Sequence, residues 1–220
     1  MSVLVLTKNL LKYFHHEKTD WINMVVIDLR NRLYKLNLAD REHLKIYEEL
    51  LFLFIRSNEG EKLSVYRDIK GYRTISVGYN MDTYKSKEVW QQIFAKHVSF
   101  DAVYSGKAAI TAQQSRKLYE YKIRLNRLEL EVIYSNFWHK FKANERLMIE
   151  DLYWNGGNKL AGKATRFFSY ITKYASTKKL EFLLEALTEI KERSNKEKIK
   201  GIQNRRNLQS EIGNSSKCII

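Results

Sequence analysis

Glu59, Asp68 and Thr74 have the residue types and the spacing for acid–base chemistry. Glu59 is expected at the end of a helix, Asp68 in a turn and Thr74 on the strand that follows. Chain reversal at Gly60 and again at Gly71 brings the three side chains to one edge. Two carboxyl groups and a hydroxyl that face a cleft suit hydrolysis of a glycosidic bond. One carboxylic acid protonates the departing oxygen, while the second carboxylate and the hydroxyl handle the attacking water.

The same three residues also have a purely structural interpretation. Glu59 is then an ordinary charged helix end, Asp68 a turn former, and Thr74 a β-branched strand residue. The bare spacing of the three does not decide between the two interpretations. The residues around them carry more information.

The elements that must position these residues are a helix and a β-hairpin. Apolar residues from Ile46 to Phe54 predict a helix that opens near Asp40 and stops at 57–60, where Gly60 permits the left-handed turn that ends helices. Residues 62–79 alternate between polar and apolar types, with Gly71 in the turn, which predicts a hairpin. This hairpin is the one convincing sheet in the sequence.

Most of the remaining sequence has helical periodicity. Thr19 or Asp20 can cap a helix to about Leu38, whose apolar stripe at Ile22, Val26, Leu29, Leu33 and Leu36 is interpreted as packing in preference to partner docking. An earlier stripe at Val3, Leu6, Leu10 and Tyr13 completes a predicted helical hairpin. Further helices are predicted near 86–106, from Thr111 onward, near 124–136, 144–154 and 177–191, and from Gln203 or Asn204. The polar run from Lys191 to Gly201 is expected to separate the last two.

Composition excludes some classes of protein. The 220 residues are 44% hydrophobic, which excludes a disordered tail. No stretch is apolar enough for a membrane span, and Met1–Leu6 is too brief for a signal peptide. The single cysteine, Cys218, excludes an internal disulfide. A net charge of +14, of which +8 lies in residues 159–220, favours an anionic partner or a solvated lysine-rich surface.

The stretch from Arg56 to Gly78 closely resembles the catalytic segment of phage-type lysozymes, glycoside hydrolase family 24, and particularly the lysozymes of T-even phages. The Glu59-Gly60 pair, the Tyr66-x-Asp68 spacing, the Gly71-Tyr72-x-Thr74-Ile75 motif and Gly78 all match in residue type and position. Weaker similarity covers roughly residues 43–218, with an apparent insertion around 190–200. It includes Ile110-Thr111, the segment from Arg146 to Gly157, Leu160-Ala161-Gly162 and Asn204-Arg205.

This resemblance implies a role for each matching residue. Glu59 would be the general acid, Asp68 would orient or deprotonate the attacking water, and Thr74 would hold that water. Arg205 would pair with Glu59. The family's outcome is inversion at the anomeric carbon, which needs carboxyl groups roughly 6.5–9.5 Å apart.

Two further positions are candidates for substrate contact. Trp154 matches an aromatic residue beside the family's cleft, although a core position is an equal alternative for it, as a basic surface position is for Arg205. Asn80 follows Tyr79, which stands where the family usually has His. That departure leaves open which hydrogen bonds form at this strand end.

The resemblance implies an α+β, mostly α-helical, two-lobed fold with one small sheet and an inter-lobe helix near 86–106. We expect residues 1–40 to form an N-terminal helical extension and residues 41–220 to form a domain that resembles phage-type lysozymes, with a small lobe at about 59–85 and a helical lobe at about 107–220. Because every candidate catalytic residue lies beyond the extension, a chain that starts near Leu38 is expected to retain some cleavage.

The expected activity is hydrolysis of the β-1,4 bond between N-acetylmuramic acid and N-acetylglucosamine in bacterial peptidoglycan, with no metal or cofactor and no nucleic-acid partner. The protein is expected to be made in the cytoplasm of an infected host and to act on the bacterial wall, with the extension available for partner docking. The alternatives are a peptidoglycan-binding protein that keeps the fold without cleaving, and a basic nucleic-acid-binding protein.

Overall fold

The computed structural model describes residues 19–197 and 200–218, and within them the chain is α+β and mostly helical. This part of the chain holds ten α-helices and one three-stranded antiparallel sheet. The predicted helix through Val3 and Tyr13 lies outside the described residues. None of the described helices has both the length and the apolar composition to cross a membrane.

The helices are α1 Thr19–Tyr34, α2 Arg41–Glu59, α3 Ser86–Phe94, α4 Phe100–Tyr104, α5 Ala112–Ile133, α6 Ala143–Gly156, α7 Asn158–Ala161, α8 Arg166–Thr177, α9 Leu180–Glu197 and α10 Lys200–Gly213. The strands are β1 Lys62–Arg67, β2 Arg73–Ser76 and β3 Tyr79–Asn80. Two single 3₁₀ turns, Trp138–Lys140 and Ser215–Lys217, complete the described elements.

The chain divides into two compact units, and the divisions fall inside α2 and α5. Unit 1 comprises the described residues up to Leu53 and those from Asn126 onward, and unit 2 comprises Phe54–Leu125. Unit 2 therefore contains the end of α2, the whole sheet, α3, α4 and the first part of α5. Unit 1 contains α1 and the helices from α6 to α10.

Unit 2 is built around one face of the sheet. The strands follow the order β1-β2-β3, with Tyr66 opposite Thr74 and Ile75 opposite Tyr79. Ile75 packs into an apolar cluster around Trp90, whose ring contacts Phe94 and Phe100 and whose Nε1 donates to the carbonyl of Val98 at 2.8 Å. Aromatic burial of this kind gives the small unit its own core.

Unit 1 packs its helices around a second apolar core. Buried side chains come from α5, α6, α8 and α9, among them Leu130, Leu152, Ile171 and Leu187. Helix α1 packs against α6 and α10. It buries Val26, Leu29 and Leu33, so the predicted interpretation of this stripe as packing is confirmed at these three positions.

Several predicted elements are corrected by the structure. Residues 86–106 do not form one helix. Helix α3 stops at Phe94, where Ala95 takes a positive φ of 50°, and α4 starts after Ser99, whose Oγ accepts from Ala102 N. The segments predicted from Thr111 and near 124–136 are one continuous helix, α5. The polar run after Lys191 is helical as far as Glu197 and does not interrupt α9 there.

The sheet also has one strand more than the predicted hairpin. Tyr79–Asn80 pairs with β2, because Gly78, at φ +76°, turns the chain back on itself. The predicted helix from Asp40 is confirmed as Arg41–Glu59. Gly60, at φ +75°, ends it as expected, with its N–H donating to the carbonyl of Arg56 at 2.9 Å.

Candidate active site

Glu59 is the last residue of α2 and is half-buried at the entry to the sheet. Its carboxylate lies beside the turn between β2 and β3. A Cβ atom added at Gly78 would lie 3.8 Å from Glu59 Oε2. Gly78 thus combines a left-handed backbone with a position next to the proposed acid. The helix end and the turn together place Glu59 over the sheet.

Asp68 closes the turn between β1 and β2. Its Oδ1 accepts from the backbone N–H of Lys70 at 2.8 Å and of Tyr72 at 2.9 Å, while its own N–H donates to the carbonyl of Tyr72. An Asp side chain often builds a turn in this way. Among the described residues, none donates a hydrogen bond to the second oxygen, Oδ2. One oxygen therefore holds the turn and the other is left for a further donor.

Thr74 lies on β2 and is 4% exposed. Its Oγ1 donates to the carbonyl of Tyr72 at 3.2 Å. Thr74 stands opposite Tyr66 on β1 and opposite Asn80 on β3. Because directly paired residues of an antiparallel sheet project from the same face, Tyr66, Thr74 and Asn80 form one row across the three strands.

Tyr66 connects the two carboxylates electrostatically. Burial raises the pKa of the Tyr66 phenol, and the negative charges of Glu59 and Asp68 raise it further. A carboxylate disfavours a phenolate only when it lies close by. Sequence reasoning used Tyr66 only as part of a motif and gave it no role. The structure places it with Thr74 on one face of the sheet, within the electrostatic reach of both Glu59 and Asp68.

A chain of polar groups fixes the other end of β2 to the start of α5. Ser76 Oγ and Ser115 Oγ lie 2.7 Å apart, and Ser115 Oγ donates to Glu61 Oε1 at 2.6 Å. Arg56 lies 3.7 Å from Glu61. Ser76 and Ser115 are both buried, so these hydrogen bonds satisfy groups that would be costly to leave unpaired. Nothing in the sequence pattern marks this chain, because Ser115 lies 39 residues from Ser76 and 54 residues from Glu61 along the sequence.

Tyr79, which departs from the family pattern, belongs to the core side of the sheet. Its hydroxyl donates to the carbonyl of Ser86 at 3.3 Å, and its ring lies 6.3 Å from that of Trp90. Burial, with a smaller contribution from Tyr121, raises the pKa of Tyr79 to about 12. The residue therefore stays neutral and ties β3 to α3. This describes the hydrogen bond at the strand end that the sequence left open.

Asn80 makes the hydrogen bonds of a turn. Its Oδ1 accepts from Asp82 N at 2.8 Å and its carbonyl accepts from Thr83 Oγ1 at 3.0 Å. The side chain is half-buried in the row with Thr74. Its predicted contact with substrate stays a prediction.

Trp154 and Arg205 belong to unit 1. Trp154 lies on α6 and is 7% exposed, which favours the packing alternative for its ring. Arg205, on α10, is 6% exposed and forms a two-point ion pair with Asp151, at 3.0 Å from Nε and 2.6 Å from Nη2. Gln209 also donates to Asp151. Arg205 is therefore a buried structural cation, so the alternative of a surface position is wrong. Its pairing with Glu59 stays a prediction.

Within the described residues, no three His, Cys, Asp or Glu side chains are grouped to hold a metal ion. Comparison of the chain with protein-family models and with curated proteins finds no match.

Proposed function

We propose that the protein is a lysozyme that hydrolyses the β-1,4 bond between N-acetylmuramic acid and N-acetylglucosamine in peptidoglycan. The observation that carries the proposal is the grouping within unit 2 of two carboxylates and a threonine hydroxyl. Glu59 lies against the turn at Gly78, Asp68 and Glu59 both act on the pKa of Tyr66, and Thr74 pairs directly with Tyr66. The motif resemblance from Arg56 to Gly78 adds to this geometry.

The proposed reaction needs only these groups and water. Glu59, protonated, gives its proton to the glycosidic oxygen as the bond to the anomeric carbon breaks. Asp68 accepts a hydrogen bond from a water through the oxygen that does not hold the turn, and takes the proton of that water as its oxygen bonds to the anomeric carbon. The hydroxyl of Thr74 orients the same water. Two sugar ends result, and one proton has passed from Glu59 to the leaving group while another has passed to Asp68.

The test is incubation of the full chain with purified peptidoglycan, followed by mass analysis of the soluble fragments. Reducing ends at N-acetylmuramic acid support a lysozyme. Anhydro ends would assign a lytic transglycosylase instead, and binding without any fragment would assign a wall-binding protein. Steep salt-dependent binding to DNA that a sugar oligomer does not displace would favour the nucleic-acid alternative.

Glu59→Gln is the decisive variant, because it keeps the side chain's size and removes the transferable proton. General acid catalysis contributes roughly a hundred- to ten-thousand-fold in rate, so we expect a loss of at least about a hundredfold with wall binding retained. The matched control is Glu88→Gln, which makes the same chemical change at an exposed position of unit 2. A Glu59→Gln protein that cleaves as fast as the control would overturn the proposal.

A further inference from the structure

A cavity of about 530 Å³ in unit 1 is bordered by basic side chains. We call it the basic cavity. The end of α1 at Tyr34 and the residues 35–39 that follow it form one wall, and residues 139–143 together with Arg146 form the other. Five of the lining side chains are basic: Lys35, His139, Lys140, Lys142 and Arg146. No Asp or Glu is among the described residues that line it.

The acidic residues next to these walls are already engaged. Asp40 accepts through Oδ1 from the N–H groups of Glu42 and His43, which caps the start of α2. Glu145 is fully buried and accepts from the N–H of Lys142 and the hydroxyl of Tyr174. Neither carboxylate makes an ion pair with the basic side chains of the cavity among the described residues. These two carboxylates therefore do not pair with the positive charge of the cavity, while Glu150 and Glu131 act on Arg146 electrostatically without lining the cavity.

Arg146 is the most informative of the five. Its Nε is buried and has no hydrogen-bond acceptor among the described residues. The guanidinium carbon lies 5.2 Å from the centroid of the Trp138 ring, which holds the group in place. Burial lowers the pKa of Arg146, in part against the opposing effects of Tyr47 and Glu150. A guanidinium offers five N–H donors, and its terminal nitrogens carry four of them, so Arg146 can donate to an oxyanion bound in the cavity it lines.

Hydrogen bonds within the chain hold one wall of the basic cavity in place. The N–H of Asn37 donates to His43 Nδ1 at 3.1 Å, and the side chain of Asn37 accepts from Ala39 N. The ammonium of Lys142 lies 5.4 Å from the centre of the Tyr34 ring, and this contact connects the two walls. The first turn of α6 also borders the cavity through Lys142 and Ala143, and the Glu145 carboxylate caps this helix start. Preorganisation of this kind lowers the cost of binding.

The chemistry of the lining indicates the class of ligand. A carboxylate brings one charge and two acceptor oxygens, whereas a phosphate monoester brings up to two charges and three acceptor oxygens. A polyol-phosphate polymer is a phosphodiester with one charge in each repeating unit, and several units together bring more than one charge. Five basic groups around one cavity match a ligand with more than one negative charge. Leu36, Leu38 and Phe141 give the same cavity apolar surface, which suits the carbon portion of an organic ligand.

We propose that the basic cavity binds an organic phosphate, either as a free small molecule or as the repeating unit of a polyol-phosphate polymer. The site is separate from the proposed wall-cleaving residues, because every residue that lines it belongs to unit 1 and none is a candidate for catalysis. Its test is therefore a binding measurement that does not depend on cleavage.

The experiment is titration calorimetry of the full chain with glycerol 3-phosphate, with poly(glycerol phosphate), with uncharged glycerol and with a single-stranded oligonucleotide. Arg146→Gln removes the guanidinium from the cavity wall. Lys142→Gln removes an exposed ammonium at the rim and is the second variant, which keeps the test valid if Arg146→Gln disturbs the fold. Lys163→Gln, exposed elsewhere in unit 1, makes the same change in net charge and is the control.

We expect saturable binding of one or both phosphates and none of glycerol. Arg146→Gln should weaken that binding roughly tenfold or more, Lys142→Gln less, and Lys163→Gln not measurably. Binding of the polymer alone would assign the polymer as the source, and binding of both would assign the free ester as sufficient. The proposal is overturned if neither phosphate binds, if Lys163→Gln weakens binding as much as Lys142→Gln, or if only the oligonucleotide binds.

Discussion

The two carboxylate oxygens of Asp68 have different roles. One holds the turn between β1 and β2, and in the proposed mechanism the other binds the attacking water. Asp68→Asn keeps an oxygen that can accept from Lys70 N and Tyr72 N, so the turn should persist. It removes the charge that would take a proton from water. We therefore expect wall cleavage to fall roughly a hundredfold or more, while the free energy of unfolding changes by about 1 kcal/mol or less.

Cleavage rates and chemical denaturation of the same protein samples check this expectation. Asp101→Asn is the matched control, because Asp101 is an exposed residue of unit 2 paired with Lys87, and such surface pairs contribute little to stability. Full activity in Asp68→Asn would remove Asp68 from the mechanism. A large loss of stability together with activity would show that the turn, and not the charge, was the cause.

Tyr66 offers a measure of the site that needs no substrate. Two negative charges disfavour its phenolate, so removing them in the double variant Glu59→Gln, Asp68→Asn should lower the pKa of Tyr66. Burial is the largest cause of the shift and remains, so the pKa should stay above the ordinary value of about 10. NMR titration with ring-labelled tyrosine, assigned with Tyr66→Phe, gives the value. An unchanged pKa would mean that the two carboxylates do not share this environment.

The packing of helix α1 bears on the expectation that residues 1–40 can be removed. The sequence predicted that residues 1–40 are an extension that can be removed with some cleavage retained. In the structure, Leu33 is fully buried and Arg30 donates to the carbonyl of Lys217 at 3.0 Å. Leu33→Ala should therefore destabilise the protein by about 2–5 kcal/mol, as buried leucine truncations do. Loss of the whole helix should cost more.

Thermal unfolding of Leu33→Ala beside Ile27→Ala tests the role of this helix. Ile27 lies on the same helix and is 43% exposed, so its truncation should have a small effect. Equal, small effects of the two variants would show that α1 is a separable extension, as the sequence suggested. A chain that starts near Leu38 and unfolds at the same temperature as the full chain would show the same.

The sequence predicted elements well where a residue marks their ends. Gly60 and Gly71 both take positive φ values, and the helix and the turn end at these residues. It failed at residues 86–106, because the break at Ala95 carries neither glycine nor proline. Helix α8 was missed although Thr165 caps it and Phe167, Ile171 and Tyr174 recur at helical spacing. The sequence therefore does contain the cap and the apolar spacing that predict this helix.

In the candidate site too, the sequence predicted local features but not contacts between residues that are distant along the chain. Glu59, Asp68 and Thr74 lie within one short segment, so a prediction that groups them can rest on their motif and turn residues alone. The hydrogen bonds that join Ser115 to Ser76 and to Glu61 connect segments far apart in the chain. Periodicity and spacing report on local structure, and contacts of this kind leave no pattern in a single sequence. For the same reason, the sequence did not predict the ion pair between Arg205 and Asp151.

At the scale of the whole molecule, 39 basic against 25 acidic residues give a net charge of +14. Such a charge attracts the protein to polyanionic surfaces and raises the rate of encounter. The attraction acts over about 30 Å at 0.01 M salt but only about 8 Å at 0.15 M. In the proposed mechanism it bears on how the protein reaches peptidoglycan and not on the bond-breaking step assigned to unit 2.

We therefore expect salt to slow cleavage of intact peptidoglycan sacculi far more than cleavage of a short soluble fragment. At low substrate concentration, raising the salt from about 0.01 M to 0.15 M should lower the sacculus rate roughly tenfold or more, because steering is lost. The soluble fragment carries few charges, and the same proton transfers act on it, so its maximal rate should move little. Initial rates of both reactions at matched pH check this. An equal salt response of the two substrates would place the effect at the catalytic residues, since only the encounter with a polyanionic surface separates the two reactions.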